Sequence, residues 1–306
     1  MKGDPRTLQR RVLGAVQRSG LWMPGESVAV AVSGGLDSTV LLHLLHRTQG
    51  AHRGELVVCS IDHGLRPESA HEVEGVGALA RNLSLPFRAI KLEIEPGPNL
   101  AERARDARRL ALESLGTACI ATGHHEDDQA ETVLFHLLRG SGMRGLQGMQ
   151  IKNGPWVRPL LFESREALHA WAMQEALTWV EDPSNPGSQR GTLRGLMPRL
   201  DEIHGGAGRA LSRSARLLAR EDEWLSSLAD AAWEELHSER GLNREMLALL
   251  HPALQLRLLR RLVPDGSIRA EPLESVVDGA LSGPGTLDLG RGITLVWSSG
   301  HLRVET

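Results

Sequence analysis

The sequence predicts an α/β chain: a doubly wound parallel sheet, followed by a mainly helical region that ends in a small β-element. Three observations carry this. Apolar, β-branched runs at residues 28–32, 55–61, 87–94 and 117–122 alternate with amphipathic helical patterns, the alternation that builds parallel sheets. The first run, Val-Ala-Val-Ala-Val, has no polar face, as expected of a strand buried on both sides. Beyond residue 200 the pattern is helical until three short runs at 286–289, 293–297 and 302–304, with Gly-containing turns between them. A length of 306 residues suggests two domains, placed at 1–200 and 201–306.

Each element has its own signal. Residues 6–19 place Leu8, Val12, Ala15 and Val16 on one helical face. Pro24-Gly25 ends the approach to the first strand, and a helix starts at once after it, at Asp37-Ser38. Residues 55–61 form a second strand, 67–82 a helix and 87–94 a third strand. The loop Pro96-Gly97-Pro98-Asn99 precedes an Arg-rich helix over 100–115. Residues 117–122 form a fourth strand, and 126–138 a helix introduced by Gly123-His124-His125. Further on, 164–177 is helical with Ser164 as cap, 206–236 is one long helix, 243–263 gives two short helices and 271–281 another.

Composition narrows the function classes. Hydrophobic residues make up 41%, enough for ordinary cores, but aromatics are 3% with no tyrosine, so Leu, Val and Ala must fill them. The formal net charge is -3, so a polyanionic partner must be met by a local patch. Cys59 and Cys119 lie far apart in apolar runs and read as buried, reduced thiols. No run has the length of a membrane span and no signal-peptide pattern opens the chain, so a cytoplasmic location and no membrane partner are expected.

Three loops follow strands, at 33–38, 62–66 and 123–128, and should converge on one rim of the sheet. The first is Ser33-Gly34-Gly35-Leu36-Asp37-Ser38, with glycines suited to positive φ and to close approach of a ligand, at the start of a helix that favours a phosphate. It is neither a Walker loop nor Gly-x-Gly-x-x-Gly. The third opens the acidic stretch His124-His125-Glu126-Asp127-Asp128-Gln129-Ala130-Glu131. Asp128 and Glu131 share a helix face. Three accounts of this cluster stand side by side: acidic residues complementing the helix dipole, a metal site, or a pocket for an ammonium group. The stretch 139–148, with Arg139, Gly140, Gly142, Arg144 and Gly145, reads as a mobile, phosphate-friendly loop. Arg190, Arg194, Arg199, Arg209, Arg213, Arg216 and Arg220 form a one-sided basic run suited to phosphate contacts.

Ser-Gly-Gly-x-Asp-Ser matches the pyrophosphate loop (PP-loop) of the N-type ATP pyrophosphatases, enzymes of the adenine nucleotide α-hydrolase-like fold. Four further stretches make the resemblance more specific. They are Asp62-His63-Gly64-Leu65-Arg66-Pro67, His124 through Thr132, Arg139-Gly140-Ser141-Gly142, and Trp179 through Asn185 followed by Arg190 and Arg194. In this order they resemble the tRNA(Ile)-lysidine synthetase family, densely from about residue 27 to 200.

The resemblance implies an ATP-dependent ligase that joins lysine to C2 of the wobble cytidine of tRNA(Ile) with a CAU anticodon, through an adenylated cytidine. It implies ATP binding by Ser33, Gly34, Gly35, Leu36, Asp37, Ser38, His63, Arg105, Arg108 and His124. Asp37 would also place Mg2+. Asp128 and Glu131 would hold free L-lysine and, with Asp37, form the catalytic set. Arg66, Arg139, Arg144, Arg190 and Arg194 would contact tRNA, and a homodimer is one assembly it allows. The chain departs from the family pattern at Arg109, often aromatic there, at Gly123, commonly Ala, and between Arg190 and Arg194. The tail is expected to lack the large C-terminal domain of longer members. Rival readings are a tRNA thiolase, which normally needs paired cysteines, a glutamine-dependent amidotransferase, which needs a glutaminase, and a non-catalytic RNA-binding relative.

Overall fold

The computed structural model describes residues 5–62, 64, 69–95, 97–181, 189–263, 273, 284–290, 292–298 and 300–305. The chain divides into two compact units, Met1–Leu217 and Leu218–Thr306. The first unit is built on a six-stranded sheet with strand order β3-β2-β1-β4-β6-β5. Its strands are β1 (Ser27–Ala31), β2 (Glu55–Asp62), β3 (Phe87–Lys91), β4 (Cys119–Ala121), β5 (Lys152–Asn153) and β6 (Trp156–Val157). All pairings are parallel except β5 with β6. Its helices are α1 (Pro5–Arg18), α2 (Leu36–His52), α3 (Ser69–Asn82), α4 (Leu100–Glu113), α5 (Glu126–Leu138), α6 (Met143–Leu146), α7 (Arg165–Gln174) and α8 (Gln189–Ile203).

The Val-Ala alternation of β1 explains its central place. Val28, Val30 and Val32 join the larger core with Leu41, Leu45, Leu168 and Trp171, while Ala29 and Ala31 join a smaller one with Cys59, Leu112 and Ile120. Small residues thus face α4 and branched ones face α2. Helix α2 is buried round most of its circumference, with Leu41, Leu42, Leu44 and Leu45 inaccessible, because α1 and α7 pack on its outer side. Each such leucine contributes about 1.5–3 kcal/mol. In this sheet β1 lies between β2 and β4, so the order reverses there. Ligands of open α/β sheets bind at that reversal, beyond the carboxyl ends of the strands. The turns after β1 and β4 therefore meet.

Three sequence expectations need correction. The third strand stops at Lys91. Residues 189–203, read only as a basic run, form the helix α8, with Pro198 inside it. The glycine-rich stretch 139–148 is a folded turn rather than a mobile loop. It contains α6 and is clamped by the buried Gln129, whose Nε2 donates to Gln147 O (3.1 Å) and Met149 O (3.0 Å) while Oε1 accepts from Met149 N (2.7 Å).

Helix α9 (Ala207–Leu236) runs across the boundary into the second unit, followed by β7 (His237–Ser238), β8 (Gly241–Asn243), α10 (Arg244–Ala248), α11 (Pro252–Leu262), β9 (Gly285–Gly290), β10 (Ile293–Trp297) and β11 (His301–Glu305). The strands form an antiparallel sheet in the order β7-β8-β11-β10-β9. Leu242, Leu247, Leu258, Leu259, Leu295 and Leu302 are its inaccessible core. Of the helix expected over 271–281, only Leu273 lies among the described residues. No helix among them is long and apolar enough to cross a membrane.

Candidate active site

The turn after β1 is held by its own hydroxyls. Ser38 Oγ accepts from Ser33 N (3.1 Å) and donates to Gly35 O (3.1 Å), and Ser33 Oγ accepts from Gly35 N (3.4 Å). Gly34 has φ +84°, a conformation that a side chain would strain. Gly35 does not share it: at φ -73° and ψ 165° it is the N-cap of α2, against the expectation of positive φ at both glycines. Glycine offers no capping side chain, so the first N–H groups of α2 remain available to an anion.

The second turn is built on His125, the N-cap of α5. Its Nδ1 accepts from Asp127 N (3.2 Å), and its backbone N–H donates to Asp128 Oδ2 (3.0 Å). The buried ring sits between two carboxylates, with Nε2 3.6 Å from Asp37 Oδ2 and 3.5 Å from Asp128 Oδ2. Burial disfavours the imidazolium, but the nearby carboxylates of Asp37, Asp128 and Asp127 outweigh it and raise the His125 pKa. Asp37 Oδ1 is buried with no hydrogen-bond partner among the described residues, a costly state unless a ligand completes it. One helical turn beyond Asp128, the buried Glu131 accepts from Arg194 of α8, at 2.7 Å from Nε and 3.4 Å from Nη2. That hydrogen bond raises the Arg194 pKa against the effect of burial.

One cavity of about 1050 Å3 joins these groups. Of the residues singled out in the sequence, Ser33, Gly35, Leu36, Asp37, Ser38, His124, Asp128, Glu131 and Arg194 line it. Asp37 and Asp128, 91 positions apart in sequence, thus face one space on either side of His125. Gly34 lies just behind, its carbonyl accepting from Val180 N (2.9 Å), which ties the segment of Trp179, Val180 and Glu181 to the turn. Gly123 packs so closely that a Cβ there would stand 3.0 Å from Asp37 C and Ser38 N.

Other expected residues are placed elsewhere. Arg105 and Arg108 on α4, and Arg139 and Arg144 beyond α5, are not among the cavity's lining residues. Burial and the neighbouring Arg105 lower the Arg108 pKa, and the Arg139 guanidinium lies over the Phe135 ring, 4.9 Å from its centroid. His63 and Arg66 lie outside the described residues, as does the side chain of Arg190. His125 was missed as a site residue. Its signal was its position, a polar residue directly before three acidic ones at a helix start. Met197, Asp201 and Arg209 also line the cavity and were not singled out for it. Among the described residues, no group of three His, Cys, Asp or Glu is arranged to hold a metal ion.

Comparison with known proteins agrees with this architecture. The PP-loop domain model matches residues 6–200. The chain is similar to the tRNA(Ile)-lysidine synthase of Pseudomonas putida, 40% identical over 260 residues that cover 78% of this chain and 60% of that protein. It is also similar to the one from Alkalilimnicola ehrlichii, 37% identical over 313 residues that cover 98% of this chain and 68% of that protein. Among solved structures, the U34-tRNA thiolase NcsA from Methanococcus maripaludis superposes with a TM-score of 0.58 at 18% identity, covering 70% of this chain and 79% of that one, and so shares the fold. The chain spans 60% of the length of the first of these relatives. With a PP-loop match over most of the first unit and this identity along nearly its whole length, the chain belongs to the tRNA(Ile)-lysidine synthase family of PP-loop proteins.

Proposed function

We propose that the chain ligates free L-lysine to C2 of the wobble cytidine of tRNA(Ile) bearing a CAU anticodon, with ATP as the activating substrate. The observation that carries this is the shared cavity, in which an uncapped helix start and an acidic helix start face one another across His125. The first suits a triphosphate and the second an ammonium group.

In the first step the cytidine C2 oxygen attacks the α-phosphorus of ATP and diphosphate leaves. The turn of Ser33, Gly35, Leu36 and Ser38, with the N–H groups of α2, holds the phosphates. In the second step the ε-amine of lysine attacks C2, and AMP departs with the C2 oxygen. Free lysine has a side-chain pKa of about 10.4 and arrives protonated, so Asp128 and Glu131 first bind the ammonium. A proton must leave the nitrogen as the bond forms, and a carboxylate within reach accepts it directly or through water. Holding both substrates in one cavity supplies much of the rate. Mg2+ is usually held by one or two carboxylates plus substrate phosphates. The unpartnered Asp37 Oδ1 fits that pattern, and the ion would neutralise the phosphates.

We assign catalysis to residues 1–200 and tRNA contacts chiefly to 201–306, and a tRNA substrate places the reaction in the cytoplasm. Thiolase chemistry is disfavoured by the cysteines. Burial pushes the Cys59 thiol up to about 11 and also raises that of Cys119, so neither is a ready nucleophile. The reading is tested by incubating the protein with ATP, labelled lysine and a tRNA(Ile) transcript with a CAU anticodon. Lysine becomes covalently bound to the transcript, one diphosphate is released per lysine, and a CAU-to-GAU transcript stays unlabelled. Diphosphate release without label in the RNA would refute the assignment.

A further inference from the structure

A second, smaller cavity, of about 330 Å3, shares Glu126, Ser164 and Arg209 with the first. Four arginines line it, Arg11, Arg209, Arg213 and Arg216, against two carboxylates, Glu126 and Glu163. Arg11 is already committed: its Nε lies 3.0 Å from both Glu163 oxygens and its Nη2 2.6 Å from Oε2. The Glu163 carbonyl in turn accepts from Glu126 N (2.9 Å), so α1, the start of α5 and the turn before α7 form a fixed wall.

The opposite wall carries an excess of charge. Arg209, Arg213 and Arg216 follow one another at i, i+4 and i+7 on α9, a single helical face. Among the described residues none of the three has a hydrogen bond or ion pair. Arg216 lies over the Phe162 ring, 5.4 Å from its centroid, which fixes the guanidinium without neutralising it. Burial raises the Glu126 pKa, an effect that Arg209 and Arg216 only oppose. Three like charges on one face of a concavity repel, and an anion is the ligand that relieves them.

We propose that this cavity seats a backbone phosphate of the RNA substrate, beside the nucleotide whose base enters the larger cavity. The inference rests on the tRNA-modifying reading above. Arg209 borders both cavities, so a phosphate held here would adjoin the cavity that Asp37 and Asp128 line. The diphosphate leaving group has the same chemistry. However, the uncapped start of α2 that suits it lines only the larger cavity, whereas Arg213 and Arg216 line only the smaller.

The test is equilibrium binding of the tRNA(Ile) transcript to wild type, Arg213→Gln and Arg216→Gln over a range of salt, without ATP or lysine. Each substitution should weaken binding and lower the log–log salt slope by about 0.7–0.9. The deficit of each variant should then shrink about threefold when salt rises fourfold. Arg213→Lys, which keeps the charge, should restore most of the slope, and the KM for ATP should be unchanged in all three. Folded variants with wild-type affinity and slope would overturn the proposal, as would altered inhibition by diphosphate with unaltered tRNA binding. Wild-type protein that binds no tRNA would instead refute the functional reading on which it rests.

Discussion

The two ends of the parallel sheet each bury a histidine, and they treat it in opposite ways. At the end where the strands begin, His52 terminates α2. Its Nδ1 accepts from Gly54 N (3.0 Å), which leaves Nε2 to donate to Leu45 O (2.8 Å), and its ring meets Trp22 edge-on at 5.2 Å. Burial lowers its pKa, and it stays neutral. At the end where the strands finish, His125 is equally buried but lies between Asp37 and Asp128, and its pKa is raised. The first end satisfies its histidine with backbone groups alone. The second crowds charges around its histidine and leaves Asp37 Oδ1 unmatched among the described residues. Trp22 Nε1 beside His52 also lacks a hydrogen-bond partner among the described residues, so what sets the second end apart is an unmatched carboxylate oxygen on a residue that lines a cavity, a group that a ligand there would complete.

The contrast can be broken from either side. The largest effect is expected at Asp37. Asp37→Asn should cut diphosphate release by about a hundredfold to a thousandfold, equivalent to roughly 2.7–4 kcal/mol in the barrier, while the melting temperature holds or rises. A variant with wild-type turnover would remove Asp37 from its role. Next is Gly123→Ala. The added methyl group would stand 3.0 Å from Asp37 C and Ser38 N, so that backbone must give by a few tenths of an ångström; overpacking of this kind costs about 1–3 kcal/mol where the neighbours cannot yield. The KM for ATP should rise together with the loss of stability measured by urea unfolding. An unchanged KM would mean that the two turns need not touch.

At the opposite end the expected effect is smaller and concerns stability alone. His52→Gln should cost about 1–2 kcal/mol and leave the KM for ATP unaltered. Because the folded pKa of His52 lies below its ordinary value, the unfolded chain takes up the proton first. Its contribution is therefore lost as pH falls from about 6.5 through the lowered value. His125 has the opposite sign: its contribution is present below about 6.5 and is lost as pH rises through the raised value. Thermal unfolding between pH 5 and 8 should show the acid-side loss diminished in His52→Gln. An identical pH profile in the variant would contradict the assignment.

Much of this was legible from residue order because strong local signals coincided with a simple topology. Val28 to Val32 announced a strand covered on both faces, Gly34 a turn with positive φ, and the alternation of elements a shared rim for Asp37, Asp128 and Glu131. The illegible parts depend on contacts made across the fold. Gln129 reads as an ordinary helical residue, yet it clamps the glycine-rich stretch, whose composition alone suggests mobility. His125 looks like a spacer until β1 and β4 become neighbours. Arg194 reads as a phosphate contact, whereas in the folded chain it binds Glu131. Under the proposed function the same ion pair requires lysine to share Glu131 with a guanidinium or displace it.

The most direct test of the account separates the two chemical steps in a single variant. Glu131→Gln should release diphosphate from ATP in the presence of tRNA at close to the wild-type single-turnover rate, yet transfer labelled lysine to the adenylated RNA far more slowly. Equal loss of both steps would mean that no separate amine subsite lies beside the nucleotide, and the central claim would be wrong.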